Sequence, residues 1–297
     1  MSATEPLAGA AVDEPLVAAS PMRVRCLGKG IDEQTLDWVA EEVPVALQYN
    51  DLPYAVMLAS PTELEDFAVG FSLSEGVIGD AAELQALHVE PTEQGVYIVM
   101  QVPRERVQGL KARRRGLEGR SGCGLCGLEQ LEQVQRELPV VDVAVRFELR
   151  QLVGAMAMLD EGQPLRTLTG ATHAAAWLAQ HGTAPTWVRE DVGRHNALDK
   201  LIGALTRACI DPAPGALLLT CRASLEMVQK AAAVGIGVVV ARGAPTGLAV
   251  RRARALGVTL IGFARGDRLV VYTHGQRITG PAAAPWPCAA GDCAEQT

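Results

Sequence analysis

The chain has 297 residues, of which 48% are hydrophobic, 21% are charged and 4% are aromatic, and its formal net charge is −7. This amount of apolar material supplies a large core and excludes a wholly disordered chain, while the low aromatic content favours helices packed on a sheet over an aromatic-rich β-sandwich. The acidic balance argues against a nucleic-acid partner.

The two ends and the cysteine content favour a cytoplasmic protein. Residues 1–22 contain no Lys or Arg and no compact apolar stretch, which is unlike a secretory signal, so we expect a disordered tail. No run of about 18 apolar residues occurs, so we expect no membrane span. Seven cysteines, an odd number in a mid-sized chain, suit a few special thiols in a reducing compartment. Residues 280–297, rich in Pro, Ala and Gly, are predicted as a second disordered tail.

The first half of the chain predicts an α+β subdomain over residues 23–145. Short apolar runs alternate with turns, and a turn at Asn50–Pro53 separates two strand patterns. A Pro followed by acidic residues and then by apolar residues at helical spacing indicates a helix start. The predicted elements are the strands Val43–Tyr49, Tyr54–Leu58 and Val96–Val102, and a helix from Pro61 to Gly76.

From about residue 146 to residue 279, helices and strands alternate. This order predicts βαβαβ units and an α/β core with a largely parallel sheet flanked by helices. An alanine-rich helix is also expected after His173. The other predicted helices are Phe147–Leu159, Asp191–Cys209, Ser224–Val234 and Thr246–Leu256, and the predicted strands are Ala216–Thr220, Gly237–Ala241 and Val258–Phe263.

A basic cluster and a cysteine loop interrupt this pattern at the end of the first subdomain. The three glycines of Gly122–Gly127 predict a mobile, exposed loop over about residues 116–130. The basic cluster is either a solvated surface or a docking site for an acidic partner. Its members are Arg104, Arg106, Lys111, Arg113, Arg114, Arg115 and Arg120.

The pair Cys123 and Cys126 allows four interpretations. The pair could be half of a zinc site completed by Cys288 and Cys293, although their spacing is wider, or a thioredoxin-like redox pair, which the flanking glycines fit poorly. A structural accident is unexpected between glycines in a basic loop. The fourth interpretation is sulfur relay, in which a thiolate attacks a persulfide donor, keeps the terminal sulfur and passes it on.

Relay chemistry requires what this loop contains. The thiol must reach into the sites of a donor and an acceptor, so a glycine-flanked arm suits it. Nearby arginines favour the thiolate, and a second thiol can release the sulfur by forming a disulfide. We therefore favour the relay interpretation.

Three segments that follow predicted strands each contain an Arg beside small residues. Ligands of open parallel sheets bind at the carboxyl ends of the strands, and helix N-termini attract anions. These segments therefore predict a site for a phosphate-bearing nucleotide, or else they are only tight turns. No P-loop or dinucleotide-binding glycine motif is present. The segments are Cys221–Ser224, Arg242–Thr246 and Phe263–Arg268.

Two further segments, Thr169–Ala174 and Arg189–Asn196, concentrate polar residues. One interpretation is helix capping by Thr172 and Asp191 with buried, hydrogen-bonded histidines. The other is a polar pocket whose floor consists of His173, Asp191, Arg194, His195 and Asn196.

A set of short motifs between Val43 and Ile278 points to one family. The motifs are Gly70–Ile78, Gly122–Gly127, Thr169–Ala176, Glu190–Lys200, Arg222–Ser224, Gln229–Ala231, Ala244–Thr246 and Gly262–Gly266. Together they resemble the formate dehydrogenase accessory sulfurtransferases, the FdhD family. Two positions depart from the pattern, because Ala171 stands where a second Gly is expected and Cys221 where many members have Gly.

The resemblance implies a sulfurtransferase with a cytidine deaminase-like core that lacks the zinc of that fold, assembled as a homodimer. It implies that Cys123 accepts persulfide sulfur from a cysteine desulfurase, with Cys126 as its partner. It also implies transfer of the sulfur to the molybdenum bis-(molybdopterin guanine dinucleotide) cofactor of formate dehydrogenase, with GDP as a ligand mimic. No metal site is expected. The expected cofactor-binding residues are His173, Arg194, His195, Asn196, Arg222, Ser224, Thr246, Gly262, Phe263, Ala264, Arg265, Gly266, Asp267 and Arg268.

Two alternatives stay open at this stage. One is a chaperone that only shelters the cofactor. The other is a zinc nucleobase deaminase, which requires Pro-Cys-x-x-Cys, whereas Cys123 follows Gly122.

Overall fold

The computed structural model of the chain describes residues 16–114 and 136–280. Over these ranges the fold is α/β, as predicted. The first half contains the strands β1 (Ala19–Gly28), β2 (Ile31–Ala40), β3 (Val43–Tyr49), β4 (Leu52–Ala59), β5 (Ala86–Thr92) and β6 (Gly95–Gln101), and the helices α1 (Leu64–Ser74) and α2 (Arg104–Arg114). The second half contains the strands β7 (Phe147–Glu148), β8 (His173–Ala179), β9 (Trp187–Asp191), β10 (Gly215–Leu219), β11 (Val238–Ala241), β12 (Thr259–Arg265), β13 (Arg268–Val271) and β14 (Ile278–Thr279), and the helices α3 (Leu149–Glu161), α4 (Pro164–Thr169), α5 (Arg194–Arg207), α6 (Leu225–Ala233) and α7 (Gly247–Ala255).

The first half is built on a four-stranded sheet in the order β4-β3-β6-β5. The predicted strands β3, β4 and β6 and the predicted helix α1 are confirmed. Residues alternate between buried and accessible along β3 and β6, and the buried face packs with Phe67 and Phe71 of α1. This alternation is the pattern of a sheet with one face in a core.

The second half is built on a six-stranded sheet in the order β13-β12-β11-β10-β8-β9. Neighbouring strands pair parallel between β10 and β11 and between β11 and β12, whereas β8 pairs antiparallel with both β10 and β9, and β13 pairs antiparallel with β12. The six-stranded sheet is therefore mixed: β9 to β12 run in one direction, as expected of a largely parallel sheet, and β8 and β13 run in the other. Parallel pairing needs a helical crossover, which α6 and α7 provide, while the short links from β8 to β9 and from β12 to β13 force antiparallel pairing.

The alanine-rich helix predicted after His173 is also wrong, because these residues form strand β8. Ala174–Leu178 are buried on both faces of the sheet, with Ala175 and Trp177 in the core on the α5 side and Ala176 in the core on the α3 side. Small side chains let helices approach both faces of a central strand. This two-sided burial overrides the helix propensity of alanine.

A two-stranded hairpin of β1 and β2 precedes the four-stranded sheet, and sequence analysis missed it. Its first strand starts at Ala19, inside the segment 1–22 that was predicted as a tail, so that boundary is corrected. The helix α2 covers the first part of the basic cluster, and sequence analysis did not predict it. The cysteine loop and the tail of residues 281–297 lie outside the described residues. No helix within residues 16–114 and 136–280 is long and apolar enough to cross a membrane.

The two halves are joined by close packing of α1 on α5. A Cβ atom at Gly70 would lie 1.7 Å from the carbonyl oxygen of Asp199, and one at Gly203 would lie 1.8 Å from that of Asp66. The helices therefore touch through their backbones, which only glycine permits. Beside this crossing, Nζ of Lys230 lies 2.9 Å from both carboxylate oxygens of Asp199.

Candidate functional site

The strand order brings the predicted ligand segments to one edge of the six-stranded sheet. Leu219 near the end of β10 pairs with Ala241 at the end of β11, and also with Ala175 near the start of β8. His173 at the start of β8 pairs with Asp191 at the end of β9. The carboxyl ends of β9 to β12 and the amino end of β8 therefore meet at this edge, which we call the ligand edge.

Three polar atoms at the ligand edge are buried and have no hydrogen-bond partner among the described residues. They are Nδ1 of His173, Nε2 of His195 and Oγ of Ser224. Buried polar atoms in native proteins are nearly always paired, so unpaired ones call for an explanation such as an absent ligand. All three belong to the predicted set of cofactor-binding residues.

The two histidines at this edge have different electrostatic surroundings. Burial first, and then the positive charges of Arg194 and Arg166, lower the pKa of His173. His173 is therefore neutral at physiological pH. Nε2 of His195 lies 4.0 Å from Oε2 of Glu226, a carboxylate in the first turn of α6.

Asp191 and Asn196 bind other parts of the protein through their side chains. Oδ2 of Asp191 lies 2.7 Å from Nζ of Lys200 and accepts a hydrogen bond from the backbone N–H of Ser60. The amide of Asn196 donates to the carbonyl oxygen of Leu58 and to Oδ1 of Asp191. These side chains therefore tie the ligand edge to the segment that follows β4.

The capping hypothesis is wrong, because Gly193 is the N-cap residue of α5 and no side chain caps that helix. Asp191 accepts the backbone N–H of Gly193, the residue that precedes the first turn of α5. Thr172 does not cap a helix, since its hydroxyl donates to Oε1 of Glu190, 2.9 Å away. Thr246 caps α7 by accepting the N–H of Ala249.

The arginine segments pack closely against each other. A Cβ atom at Gly243 would lie 3.0 Å from Cα of Arg222, and Ala223 forms a β-bridge with Pro245. Arg222 is exposed, whereas Arg242 is engaged with Asp160 of α3 at 2.6 Å. Arg222 is thus accessible to a ligand, and Arg242 already has an anionic partner.

The segment Gly262–Arg268 forms a bulged hairpin between β12 and β13. Phe263 has a φ of 53° and is exposed, and its N–H donates to the carbonyl oxygen of Gly243. Ala264 is buried in the core on the α3 side. The exposed residues at the turn of the hairpin are Arg265, Gly266, Asp267 and Arg268.

Cys221 is a buried thiol next to the ligand edge. Burial raises the pKa of Cys221 to about 11, although Arg194 and Arg222 act in the opposite direction. A thiol that stays protonated at neutral pH is a poor nucleophile, so Cys221 does not resemble a sulfur carrier.

The predicted carriers Cys123 and Cys126, and the tail cysteines Cys288 and Cys293, lie outside the described residues. Among residues 16–114 and 136–280, no group of three or more His, Cys, Asp or Glu side chains is arranged to hold a metal ion.

Sequence reasoning missed two residues of this region, Glu226 and Lys200. Glu226 follows Ser224 by two positions, and an acidic residue in a first helical turn is usually explained by the helix dipole. Lys200 lies in the Glu190–Lys200 motif, but its partner Asp191 is nine positions away, too far for a pair on one helical face. Only the packing of α5 against the end of β9 brings the two together.

The comparisons with known proteins agree with this architecture. The model of the FdhD/NarQ family matches residues 40–279. A protein named sulfur carrier protein FdhD from Bordetella petrii is 47% identical over 260 residues, covering 88% of this chain and 93% of its own. The protein of the same name from Xanthomonas euvesicatoria is 50% identical over 242 residues, covering 82% and 86%.

A solved structure shows the same fold. It is that of a candidate formate dehydrogenase accessory protein from Desulfotalea psychrophila, with a TM-score of 0.71 and 22% identity, and the match covers 89% of this chain and all of the other. At that identity the likeness concerns the fold alone. The family model and the sequence relatives establish the family: this chain belongs to the FdhD/NarQ family.

Proposed function

We propose that this protein is a sulfur carrier that serves the maturation of formate dehydrogenase. The proposal rests on the names of relatives that are about half identical over most of their length. The supporting observation from the structure is the ligand edge, where buried polar atoms that have no hydrogen-bond partner among the described residues lie beside exposed arginines.

In the first step, a thiolate of the chain receives sulfur. The thiolate of Cys123 attacks the terminal sulfur of a persulfide on a cysteine desulfurase. A new S–S bond forms on Cys123 while the S–S bond of the donor breaks, and the donor cysteine leaves as a thiolate. Cys126 can then attack the inner sulfur of Cys123, which expels the terminal sulfur as hydrosulfide and leaves a disulfide that cellular thiols reduce.

In the second step, the sulfur goes to the molybdenum of the bis-(molybdopterin guanine dinucleotide) cofactor, which is the substrate. The phosphates of the nucleotide tails suit Arg222 and Arg265, because guanidinium groups bind two phosphate oxygens at once. His173, His195 and Ser224 offer hydrogen-bonding atoms that the described protein residues leave unused. Asn196 and Thr246 support this site through the fold, since their polar side-chain atoms form hydrogen bonds within the protein.

Mass spectrometry after incubation with a cysteine desulfurase and cysteine tests the carrier role. We expect the native chain to gain one sulfur atom, and Cys123→Ser to gain none. Cys209→Ser removes an exposed thiol that is not part of the cysteine loop. It is the matched control and should load normally. Full loading of Cys123→Ser would assign the carrier role to another thiol.

We further propose that the protein is a homodimer in the cytoplasm and that it binds the catalytic subunit of formate dehydrogenase. The competing function is a chaperone that shelters the cofactor without carrying sulfur. That alternative gains support if the native chain binds GDP but never acquires a sulfur adduct. Light scattering of the full chain tests the dimer.

A further inference from the structure

Glu226 and His195 face each other in the first turns of two helices. Oε2 of Glu226 and Nε2 of His195 are 4.0 Å apart, and the side chains are 15% and 8% exposed. The neighbouring imidazole of His195 is the main cause that lowers the pKa of Glu226 to about 2, against burial, which raises it. Glu226 is therefore a carboxylate at neutral pH.

A fixed negative charge at the ligand edge opposes the binding of a phosphate, because like charges repel. Nε2 of His195 is buried and lacks a hydrogen-bond partner among the described residues. A phosphate bound here would give His195 a second negative neighbour in addition to Glu226. Two negative neighbours favour the charged imidazolium, which can also donate hydrogen bonds from both ring nitrogens.

We propose that Glu226 is a positioning residue that couples the binding of an anionic ligand to the uptake of one proton by His195. The inference rests on the proposed ligand site. The proton comes from the buffer and attaches to the imidazole, while Glu226 and the ligand keep their charges. The imidazolium then offsets the repulsion between the carboxylate and the phosphate.

His173 does not share this role. Its pKa is lowered by burial and by the cations Arg194 and Arg166, so a proton is unfavourable there. Further ionisable groups around the ligand edge are Glu190 and Asp191 on β9, Arg194 and Lys200 on α5, Arg166 on α4, Cys221 and Arg222 after β10, Arg242 after β11, and Arg265, Asp267 and Arg268 at the hairpin of β12 and β13.

Calorimetric titration of the full chain with GDP measures the coupling directly. Titrations in two buffers of different ionisation enthalpy give the number of protons taken up. The range from about pH 7 to about pH 8.5 lies above the second phosphate pKa of about 6, so the ligand charge stays nearly constant. We expect uptake approaching one proton, and an affinity that weakens with pH by up to about tenfold per unit.

Three substitutions separate a positioning role from a structural one. Glu226→Gln keeps the shape and removes the charge, so proton uptake should vanish and the affinity should no longer depend on pH. Glu226→Asp keeps the charge and should retain the uptake. Glu161→Gln, at the exposed end of α3, removes one negative charge elsewhere and should behave like the native chain. If Glu226→Gln fails to fold, NMR titration of the His195 ring with and without GDP decides the question.

The outcomes distinguish this inference from the proposed function. GDP binding without proton uptake, or equal uptake in the native chain and Glu226→Gln, overturns the coupling and leaves the proposed ligand site standing. No GDP binding at all overturns both.

Discussion

At the scale of single residues, the ligand edge contains side chains that hold the fold and side chains that stay available. Asn196 donates its amide to the carbonyl of Leu58, whereas the adjacent His195 keeps an unpartnered ring nitrogen among the described residues. Both lie in one motif, and neighbours in a helix point in different directions. The sequence therefore predicts where the polar cluster lies but not which members are free.

Arg265 offers a direct test of the nucleotide site. It is exposed at the hairpin that extends from the ligand edge. Arg265→Ala should weaken GDP binding by about 1.5–3 kcal/mol, tenfold or more, because one charge-assisted contact is lost. Binding should also weaken as salt rises, and GDP and ADP, which carry equal charge, should differ in affinity because phosphate contacts alone cannot select a base. Isothermal titration measures all three effects.

The control is Arg251→Ala, which removes an exposed arginine of α7. It should leave GDP affinity unchanged. Equal affinity for GDP and ADP, unaffected by Arg265→Ala, would place the nucleotide site elsewhere.

Lys230 forms buried ion pairs, and removing its charge should lower the free energy of unfolding. Its ammonium lies 2.9 Å from Asp199 and 2.8 Å from Glu75, and it also donates to Oγ of Ser74. Lys230→Met leaves the carboxylate of Asp199 buried without its cation, which should lower the free energy of unfolding by about 3–5 kcal/mol at neutral pH. Urea unfolding measures the loss.

Arg25→Met is the matched control for that experiment. Arg25 pairs with Asp32 at the surface, where the two side chains are 62% and 61% exposed. Exposed charge pairs gain little Coulomb energy in water and lose side-chain entropy when they form, so this substitution should change stability little. Similar losses in both variants would mean that the buried network is not a main contact between the halves.

At the scale of elements, burial decides whether a segment forms a strand or a helix where the local sequence pattern is ambiguous. The alternating burial of β3 and the helical spacing of α1 are both visible in the sequence, and both elements were predicted. Strand β8 was predicted as a helix because alanine favours helices locally. Its position between β10 and β9, with helices on both faces, depends on the tertiary structure and is not visible in the local sequence.

The crossing of α1 and α5 depends on glycine. Gly203→Ala would place a Cβ atom 1.8 Å from the carbonyl oxygen of Asp66, so the helices must move apart. We expect a loss of about 3 kcal/mol or more in unfolding free energy. Gly154→Ala in α3 would bring its Cβ within 4 Å of no atom of the described residues, and it should stabilise the fold by up to about 1 kcal/mol. Thermal melting of both variants tests the contrast, and equal shifts would contradict it.

At the scale of the whole molecule, buried polar contacts make the two halves one unit. Lys200 binds Asp191 beside β9 and also the carbonyl oxygen of Ser60 after β4, while Lys230 links α6 to the end of α1. Breaking the halves apart would expose these charges and leave them unpaired.

The chain should therefore unfold in a single cooperative transition. Far-UV circular dichroism reports on both halves, and tryptophan fluorescence includes Trp177 and Trp187 of the six-stranded sheet as well as Trp38 of β2. The two signals should lose their native values at the same urea concentration. Separate midpoints would show that the halves unfold independently.

The sequence alone determined the family, the α/β class, most helices and strands, and the segments that form the ligand edge, because periodicity, turn residues and short motifs are local properties. It also predicted the cysteine loop, which stays a prediction. Only the tertiary structure decided the mixed sheet, the strand identity of β8, the pairing of Lys200 with Asp191 and the approach of Glu226 to His195. Each of these depends on contacts between residues distant along the chain or on burial from two sides, which no local pattern encodes.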